Sequence, residues 1–248
     1  MADRIAFVTG AGSGIGRGTA KLFASRGHAV AIIDMNEAGG RETEAAIRDA
    51  GGEARFIQCN VADDDSVRNA VEQTVATYGR IDAAFNAAGI EGEAGNLTAD
   101  CTLENWHRVI GIDLTGVWFC MRHQIPQMLK QGGGAIVNCA STAGIRGAAF
   151  CGAYTAAKHG VVGLTKAAGL EYGAQGVRIN AVCPGMIRTP MTQAGTMKDL
   201  VARLVVDTPL ARLGEPEEIG EAVFWLCGPG ATFVHGQAFP IDGALTSC

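Results

Sequence analysis

The most reactive side chains of this sequence lie between Ser141 and Lys158, in the stretch STAGIRGAAFCGAYTAAK. The apolar run at 134–140 predicts a buried strand that ends at Ser141. Tyr154 and Lys158 fall in a predicted helix, where a spacing of four residues places them on one face. A free phenol has a pKa near ~10, and a neighbouring ammonium group favours its ionised form. The pattern predicts an acid/base pair beside a hydroxyl that can hold a substrate oxygen, unless the two residues simply belong to an ordinary helix.

Composition excludes several classes of protein. The net charge is -5 and no basic stripe is present, which argues against a nucleic-acid or anionic-membrane partner. The start MADRIAFVTG leaves no room for a signal peptide, and no apolar run is long enough to cross a bilayer. The eight cysteines form no C-x-x-C pair and the five histidines lack the spacing of metal ligands. We therefore expect a reduced, soluble, cytoplasmic protein without a metal site.

Strand-like and helix-like segments alternate along the chain, which predicts the α/β class, a doubly wound parallel sheet of about seven strands with helices on both faces. Strands are expected at 4–9, 29–34, 54–59, 81–86, 134–140, 177–182 and 237–241. Helices are expected at 14–26, 37–50, 63–78, 103–130 and 216–227, with another carrying Tyr154 to about 174. Less regular sequence fills 183–212. No linker or repeat divides the chain, so we predict one domain over 1–248.

The first predicted strand leads into the turn TGAGSGIG, with Gly10, Gly12, Gly14 and Gly16 at the start of a helix. Bare backbone at a helix N-terminus brings N–H groups and the helix dipole close to a pyrophosphate. The spacing differs from the common G-x-G-x-x-G, and a tight turn without a ligand would use the same residues. Asp34, at the end of the second strand, strengthens the case, because a carboxylate there can accept both hydroxyls of an adenosine ribose. An N-cap or turn role for this Asp stays open.

These residues, with three motifs further along, resemble the short-chain dehydrogenases/reductases over essentially the whole chain. NAAG at 86–89 is similar to the family's N-N/A-A-G motif. The family's catalytic set is matched by Tyr154 and Lys158 with the upstream Ser141, and its Pro-Gly turn is matched by CPGMIRTPM. The resemblance implies a single Rossmann-type domain that binds NAD. The coenzyme contacts it implies are Gly10, Gly12, Ser13, Gly14, Ile15, Gly16, Asp34, Asn60, Val61, Asn86, Ala87, Ala88, Gly89, Tyr154, Lys158, Pro184, Gly185, Ile187 and Thr189.

Two positions depart from the family pattern. Asn60-Val61 stands where the family usually has Asp-Val to hold the adenine, and an Asn oxygen can still accept a hydrogen bond from the adenine amino group. Asp113, in IDLTGVW, replaces the Asn of the family's catalytic tetrad. That Asn helps to hold a water between Lys158 and bulk solvent. An Asp can accept from the same water but cannot donate, and it adds a negative charge near Lys158.

The resemblance implies a metal-independent oxidoreductase that transfers a hydride between NAD(H) and a secondary alcohol or ketone. In oxidation, Tyr154 as phenolate would take the hydroxyl proton while the hydride passes to C4 of the nicotinamide. Lys158, together with the cationic ring, would lower the pKa of Tyr154 and would bind the ribose, and Ser141 would hold the substrate oxygen. The family relation also implies a homotetramer, paired through the helices that carry Asp113 and Tyr154.

The expected coenzyme is NAD rather than NADP because a 2′-phosphate would meet the carboxylate of Asp34. No Lys or Arg stands at positions 13, 35 or 36, and Arg17 lies one helical step past the loop. Two other hypotheses remain open at this point. One is an NADPH-dependent 3-oxoacyl-type reductase of the same family. The other is a nucleotide-binding regulatory protein that has lost catalysis, which Asp113 favours and the intact Ser141, Tyr154 and Lys158 oppose.

No motif identifies the substrate beyond a small-molecule alcohol or ketone. Arg146 is a candidate contact for a substrate carboxylate, and Glu91 and Glu93 for the hydroxyls of a polyol, although all three also suit a solvated surface. The apolar segment 191–204 is a candidate lid. The mouth of the site is expected at 91–95, at 145–150 and after Met186. The expected substrate contacts are Ser141, Tyr154, Arg146 and Met186.

Overall fold

Seven parallel strands form one sheet in a computed structural model that describes residues 4–193, 201 and 205–247. Their order across the sheet is β3-β2-β1-β4-β5-β6-β7, with every neighbouring pair parallel. This arrangement confirms the predicted α/β class and the doubly wound sheet. The strands are β1 Ile5–Thr9, β2 Ala29–Asp34, β3 Ala54–Gln58, β4 Ala83–Asn86, β5 Gly134–Cys139, β6 Val177–Pro184 and β7 Ala238–Ile241.

Several of the described helices begin where a side chain satisfies a free backbone N–H group. Asn36 accepts a hydrogen bond from the Gly39 N–H at the start of the second helix, and Asp63 accepts from the Ser66 N–H at the start of the third. The helices are α1 Gly14–Ser25, α2 Glu37–Asp49, α3 Asp64–Tyr78, α4 Leu103–Ile110, α5 Gly116–Lys130, α6 Gly152–Tyr172, α7 Pro190–Gln193 and α8 Pro216–Cys227.

The two faces of the sheet are buried under different helices, because successive residues of a strand point to opposite faces. In β1, Ala6 and Val8 join a core with residues of α1, α2 and α8, such as Phe23 and Ile219. Phe7 joins the other core, with residues of α3 and α5. Burial on both faces explains why the strand sequences are almost continuously apolar.

The strand order reverses between β1 and β4, since the chain winds outward in one direction from β1 and in the other from β4. The carboxyl ends of these two strands therefore border a crevice. In open α/β sheets, ligands bind in the crevice at such a reversal of strand order. The turn TGAGSGIG after β1 and NAAG at the end of β4 both lie there.

The main departure from the predicted elements lies in the segment 103–130, which we expected to be one helix. The structure divides it into α4 and α5 by a π-helical turn, Gly111–Thr115. Hydrophobic periodicity does not reveal such a turn, because only the hydrogen-bonding pattern of the backbone changes. Pi-helical turns are rare and are often found at functional sites. This one carries Asp113.

The region at 183–212 contains more structure than its sequence predicts. Strand β6 continues to Pro184, the short helix α7 follows, and Ile187 forms an isolated parallel bridge with Gly214. The proposed lid at 191–204 falls largely outside the described residues. Among the helices that the structure describes, none combines the length and apolar character that a bilayer span requires.

Candidate active site

The glycine turn after β1 is shaped by close approaches of the backbone. A Cβ atom at Gly10, where φ is +64°, would lie 2.9 Å from the backbone of Ala88 in the neighbouring turn. A Cβ atom at Gly16 would lie 2.2 Å from the carbonyl oxygen of Gly10. The first turn of α1 has no acidic residue, and Ser13 makes no side-chain cap. Its N–H groups and the positive end of the dipole are therefore available to an anionic group, as a coenzyme pyrophosphate requires.

Asp34 forms the rim of this crevice next to the glycine turn. Its two carboxylate oxygens accept hydrogen bonds from the backbone N–H groups of Gly12 and Asn36, each at 2.8 Å. A Cβ atom at Gly12 would lie 2.8 Å from the same carboxylate. Gly12 does not face the cleft itself, and its part is to let Asp34 approach the turn. The carboxylate of Asp34 lines the cleft with lone pairs left for further donors.

Arg17, the basic residue next to the turn, is held on the side of α2. Its Nη2 atom donates to the carbonyl oxygens of Gly12 and Gly39 and pairs with Glu42 at 3.0 Å. The guanidinium thus fastens the glycine turn to the second helix. Sequence spacing placed Arg17 one helical step past the loop but could not reveal its contacts with α2, which lies more than twenty residues away.

The opposite wall of the cleft comes from the ends of β3 and β4. Asn60 and Val61 line it, together with Ala87, Ala88 and Gly89. The Asn60 Oδ1 atom accepts a hydrogen bond from the Ala62 N–H at 3.1 Å, so one of its lone pairs serves its own turn. The amide remains exposed, and the second lone pair is open to a donor such as the adenine amino group.

Asn86 has a different place from the one expected. Its side chain is 1% exposed and is paired with the amides of Gln124 and Asn138 at 2.8–3.1 Å. It joins β4, β5 and α5 beneath the crevice and does not line it. A buried amide network of this kind fixes the strands whose ends carry the site. The neighbouring backbone is fixed by Thr9, which sequence analysis missed: its hydroxyl accepts from the N–H groups of Ala87 and Ala88 at 2.9 and 3.0 Å.

Ser141, Tyr154, Lys158 and Asp113 meet at the carboxyl end of β5 and border one pocket. The Lys158 Nζ atom lies 3.1 Å from the Asp113 Oδ2 atom and donates to the Cys139 carbonyl oxygen at 3.0 Å. It also lies 5.4 Å from the centre of the Tyr154 ring. Ser141 ends the strand, and its hydroxyl oxygen accepts from the Ala143 N–H at 3.1 Å. The structure therefore brings all four predicted residues together.

Asp113 and Lys158 form a buried ion pair, with side chains 0% and 4% exposed. Asp113 Oδ1 accepts from the Ile90 N–H at 2.8 Å, while Oδ2 meets Lys158 within ion-pair distance but without the angles of a hydrogen bond. Burial raises the pKa of Asp113, and Lys158 opposes that rise. Burial also opposes the charge of Lys158, but the negative groups around it, Asp113 first, together outweigh burial and raise the Lys158 pKa. The 3.1 Å separation of the two groups favours the charged form of each against the cost of burial.

The pKa of Tyr154 reflects this pair. Burial raises it, the Lys158 ammonium lowers it, and the Asp113 carboxylate raises it again, while a hydrogen bond with Ser141 lowers it. The net direction is upward, so in this structure Tyr154 is a protonated phenol. A neutral Asn in place of Asp113 would leave Lys158 as the only full charge of the pair. The replacement that sequence analysis identified therefore acts on Tyr154 through charge.

The segment after β6 completes the border between the two cavities. The Gly185 N–H donates to the Ile241 carbonyl at 3.0 Å, and the Thr192 hydroxyl donates to the Ile187 carbonyl at 2.6 Å. Pro184, Gly185 and Ile187 face the pocket of Ser141, and Thr189 lines both this pocket and the crevice. A nicotinamide reaching from the crevice would pass along this segment to Tyr154.

The pocket beside the four residues has a volume of about 410 Å³. Most of its wall is apolar, from side chains such as Ala140, Phe150 and Met186, and Arg146 reaches its edge. Glu91 also lines it, whereas Glu93 lies outside and bonds to Thr102. Among the described residues, no group of three or more His, Cys, Asp or Glu side chains is arranged to hold a metal ion.

Known proteins resemble this chain over its full length. A family model described as enoyl-(acyl carrier protein) reductase matches residues 10–246. Cyclohexanol dehydrogenase of Acinetobacter sp. strain SE19 is 43% identical over 99% of this chain and 96% of that protein. A 2,5-dichloro-2,5-cyclohexadiene-1,4-diol dehydrogenase of Sphingobium indicum is 40% identical over 100% of this chain and 98% of its own.

The crystal structure of levodione reductase superimposes with a TM-score of 0.95 at 36% identity, covering 100% of this chain and 99% of that one. The match extends over the sheet, the glycine turn and the strand end that carries Ser141. Members of this family are oxidoreductases that use a nicotinamide coenzyme. The chain belongs to the short-chain dehydrogenase/reductase family.

Proposed function

We propose that this protein oxidises secondary alcohols on six-membered carbon rings, or reduces the corresponding ketones, with NAD(H) as coenzyme. The observation that carries the proposal is the meeting of Ser141, Tyr154 and Lys158 at one end of a largely apolar pocket that adjoins the nucleotide crevice. Similarity to dehydrogenases named for cyclohexanol and for a cyclohexadiene-diol supports the ring alcohol as substrate.

Tyr154 exchanges the proton in this proposal. In reduction, the phenol of Tyr154, which its raised pKa keeps protonated at neutral pH, donates its proton to the developing alkoxide. In oxidation, the phenolate must form first, and Lys158 stabilises it from 5.4 Å below the ring. Ser141 donates its hydroxyl hydrogen to the substrate oxygen, because its own oxygen already accepts from Ala143.

The residues around the crevice fit a nicotinamide coenzyme. The uncapped first turn of α1 suits the pyrophosphate, and the absence of side chains at Gly10 and Gly16 lets the turn take its tight shape. Lys158 and the segment from Gly185 to Thr189 would hold the nicotinamide half. When bound, the nicotinamide supplies the hydride acceptor or donor.

The choice of NAD over NADP rests on Asp34. Its carboxylate lines the crevice where an adenosine ribose would sit, and the backbone N–H groups of Gly12 and Asn36 fix it there. Two of its lone pairs remain for the ribose hydroxyls, whereas a 2′-phosphate would be repelled. Arg17 is the basic side chain next to the glycine turn, and its contacts with Gly39 and Glu42 turn it away from this task.

A homotetramer, paired through α4, α5 and α6, is the assembly we propose. Trp106 and Trp118 are 40% and 42% exposed on the first two of these helices, and Leu170 is 90% exposed on α6. Side chains of this kind are common in subunit interfaces. Light scattering at micromolar concentration measures the assembly, and a monomer mass would count against it.

The activity is tested by kcat/KM measurements with NAD⁺ and NADP⁺ on a panel of alcohols. The panel contains cyclohexanol, cyclohexane-1,4-diol, an open-chain secondary alcohol, a hydroxysteroid and a sugar alcohol. We expect the highest values with six-membered ring alcohols and NAD⁺. A preference for a 3-oxoacyl thioester with NADPH in the reductive direction would favour the acyl-reductase hypothesis instead.

A further inference from the structure

Glu91 is a carboxylate of the substrate pocket that has no hydrogen-bond or ion-pair partner among the described residues. Glu91 is half-buried in the wall of the pocket that carries Ser141 and Tyr154. In the part of the chain that the structure describes, its carboxylate makes no hydrogen bond or ion pair, and burial alone raises its pKa. A half-buried carboxylate without a donor is held at a cost in free energy, which a ligand hydroxyl would remove.

The backbone on both sides of Glu91 is fixed. The Ile90 N–H donates to Asp113 at 2.8 Å, and the Glu93 N–H donates to the Asn105 side chain at 2.8 Å. The far end of the same loop is joined to the other lip of the pocket, because the Gly95 N–H donates to the Phe150 carbonyl at 3.1 Å. The position of Glu91 is therefore set by the fold before any substrate binds, as a recognition residue needs.

The carboxylate also lies close to Cys151, three residues before Tyr154. Burial raises the pKa of the Cys151 thiol, and the charge of Glu91 raises it further. Glu91 thus lies near the start of the helix that carries the proton-exchanging phenol, in a pocket whose wall is mostly apolar. A six-membered ring placed with its reacting oxygen between Ser141 and Tyr154 would fill the apolar space and direct its other substituents towards this wall.

We propose that Glu91 binds a second hydroxyl group of the substrate, away from the reacting carbon, so that ring diols are preferred to ring alcohols with one hydroxyl. This assignment rests on the proposed function. It also predicts that a substrate carboxylate is disfavoured, since it would meet a like charge. Arg146 borders the same pocket and could attract such a group, but it is exposed, and an exposed charge is screened by water.

The experiment compares kcat/KM at saturating NAD⁺ for cyclohexanol, cyclohexane-1,4-diol and 4-hydroxycyclohexanecarboxylate. The wild-type protein is expected to favour the diol over cyclohexanol by about 10- to 100-fold, the range of a hydrogen bond to a charged group. Glu91→Leu should bring this ratio close to one and leave cyclohexanol within about threefold. Glu91→Gln should give an intermediate ratio, because it keeps the shape and an acceptor but loses the charge. Both variants should improve use of the hydroxy acid.

Glu93→Gln is the matched control, since Glu93 is exposed, two residues further on, and outside the pocket wall. It should leave the diol-to-cyclohexanol ratio unchanged. Thermal unfolding and coenzyme titration verify that each variant is folded. Equal losses with both ring alcohols, or an unchanged ratio in both Glu91 variants, would overturn the assignment while the proposed function stands. Failure of every ring alcohol with the wild-type protein would overturn the proposed function and this assignment with it.

Discussion

The nucleotide crevice and the substrate pocket share a border but are built in different ways. The crevice is formed largely by backbone and by short side chains that hydrogen bonds within the protein hold in place. Thr9 holds Ala87 and Ala88, and the Gly12 N–H holds Asp34. The pocket is formed mainly by side chains after β5, on α6 and in the segments 146–151 and 184–192, with Glu91 from the loop after β4. The charges of Glu91 and Arg146 in it have no partner among the described residues.

This difference matches the two tasks of the site, which are coenzyme binding and substrate recognition. A coenzyme that is the same for many reactions can be held by a backbone shape, which tolerates almost no side chain at Gly10 or Gly16. A substrate is distinguished by groups that the free protein leaves unsatisfied, such as Glu91. Phe150, at the pocket mouth, has a φ of +65°, which is unusual for a large side chain and costs backbone energy. We infer that the pocket side carries the strain and the specificity.

Tyr154 lies at the border of the crevice and the pocket, and its replacement is expected to have the largest effect on the reaction. Tyr154→Phe should lower kcat by about 10²- to 10⁴-fold, because the hydroxyl that exchanges the proton is lost. NAD binding should change by less than about threefold, since the crevice residues are untouched. Stopped-flow turnover and fluorescence titration of coenzyme measure the two effects. More than about a tenth of the wild-type kcat would remove Tyr154 from the proton step.

Much of this division could be predicted from the sequence, and the reasons are physical. Gly10, Gly12 and Gly16 stand at fixed spacings because backbone clearance allows no other residue, so the crevice is visible as a motif. The sequence also predicts the cluster of Ser141, Tyr154 and Lys158, because a strand end and one face of a helix place these residues together.

The pocket could not be predicted in the same way, because its wall depends on how distant loops pack. Nothing near Glu91 in sequence distinguishes it from Glu93, yet only one of them lines the pocket. The sequence predicts Asn86 as a coenzyme contact, because it does not show that Gln124 packs against this side chain and bonds to it. The π turn at Asp113 changes backbone hydrogen bonds without a recognisable change in residue types.

Asp34 offers the sharpest test on the crevice side. The unmodified protein should prefer NAD over NADP in kcat/KM by roughly 10- to 1000-fold, because two charges ~4 Å apart repel by about 1 to 4 kcal/mol between water and an effective dielectric of 20. Asp34→Ala should weaken NAD and reduce this preference. Met35→Arg, at an exposed position in the crevice wall, should move it towards NADP.

Glu37→Gln serves as the control for Asp34→Ala. It removes an exposed carboxylate that pairs with Arg41 at the start of α2, outside the crevice wall. The coenzyme ratio should not change in this variant. Equal kcat/KM values with NAD and NADP in the unmodified protein would show that Asp34 does not face the ribose.

A pair of glycine substitutions compares the two regions directly. Gly16→Ala would place a methyl group 2.2 Å from the Gly10 carbonyl oxygen, so the turn must shift. We expect the free energy of unfolding to fall by about 1–3 kcal/mol and the coenzyme to bind more weakly. Gly147→Ala, in the loop of the pocket, meets nothing within 4 Å and should change neither. Urea unfolding and coenzyme titration measure both effects. Equal effects would remove the contrast between a crevice shaped by close backbone contacts and a pocket loop with open space around it.

The smallest change in rate is expected from Asp113→Asn, which alters charge at the border without removing a reacting group. The Asp113 carboxylate raises the pKa of Tyr154, so its removal should lower that pKa and move the acid limb of the oxidation profile to lower pH. The maximal kcat should stay within a few-fold, because Lys158 keeps its hydrogen bond to the Cys139 carbonyl and its place below the ring. Asp49→Asn, which removes an exposed charge far from the site, should leave the profile where it is. An unmoved acid limb in Asp113→Asn would mean that the buried pair does not act on the phenol. A rise in kcat by orders of magnitude would instead mean that Asp113 restrains the reaction, and the hypothesis of a protein that has given up catalysis for nucleotide binding would gain.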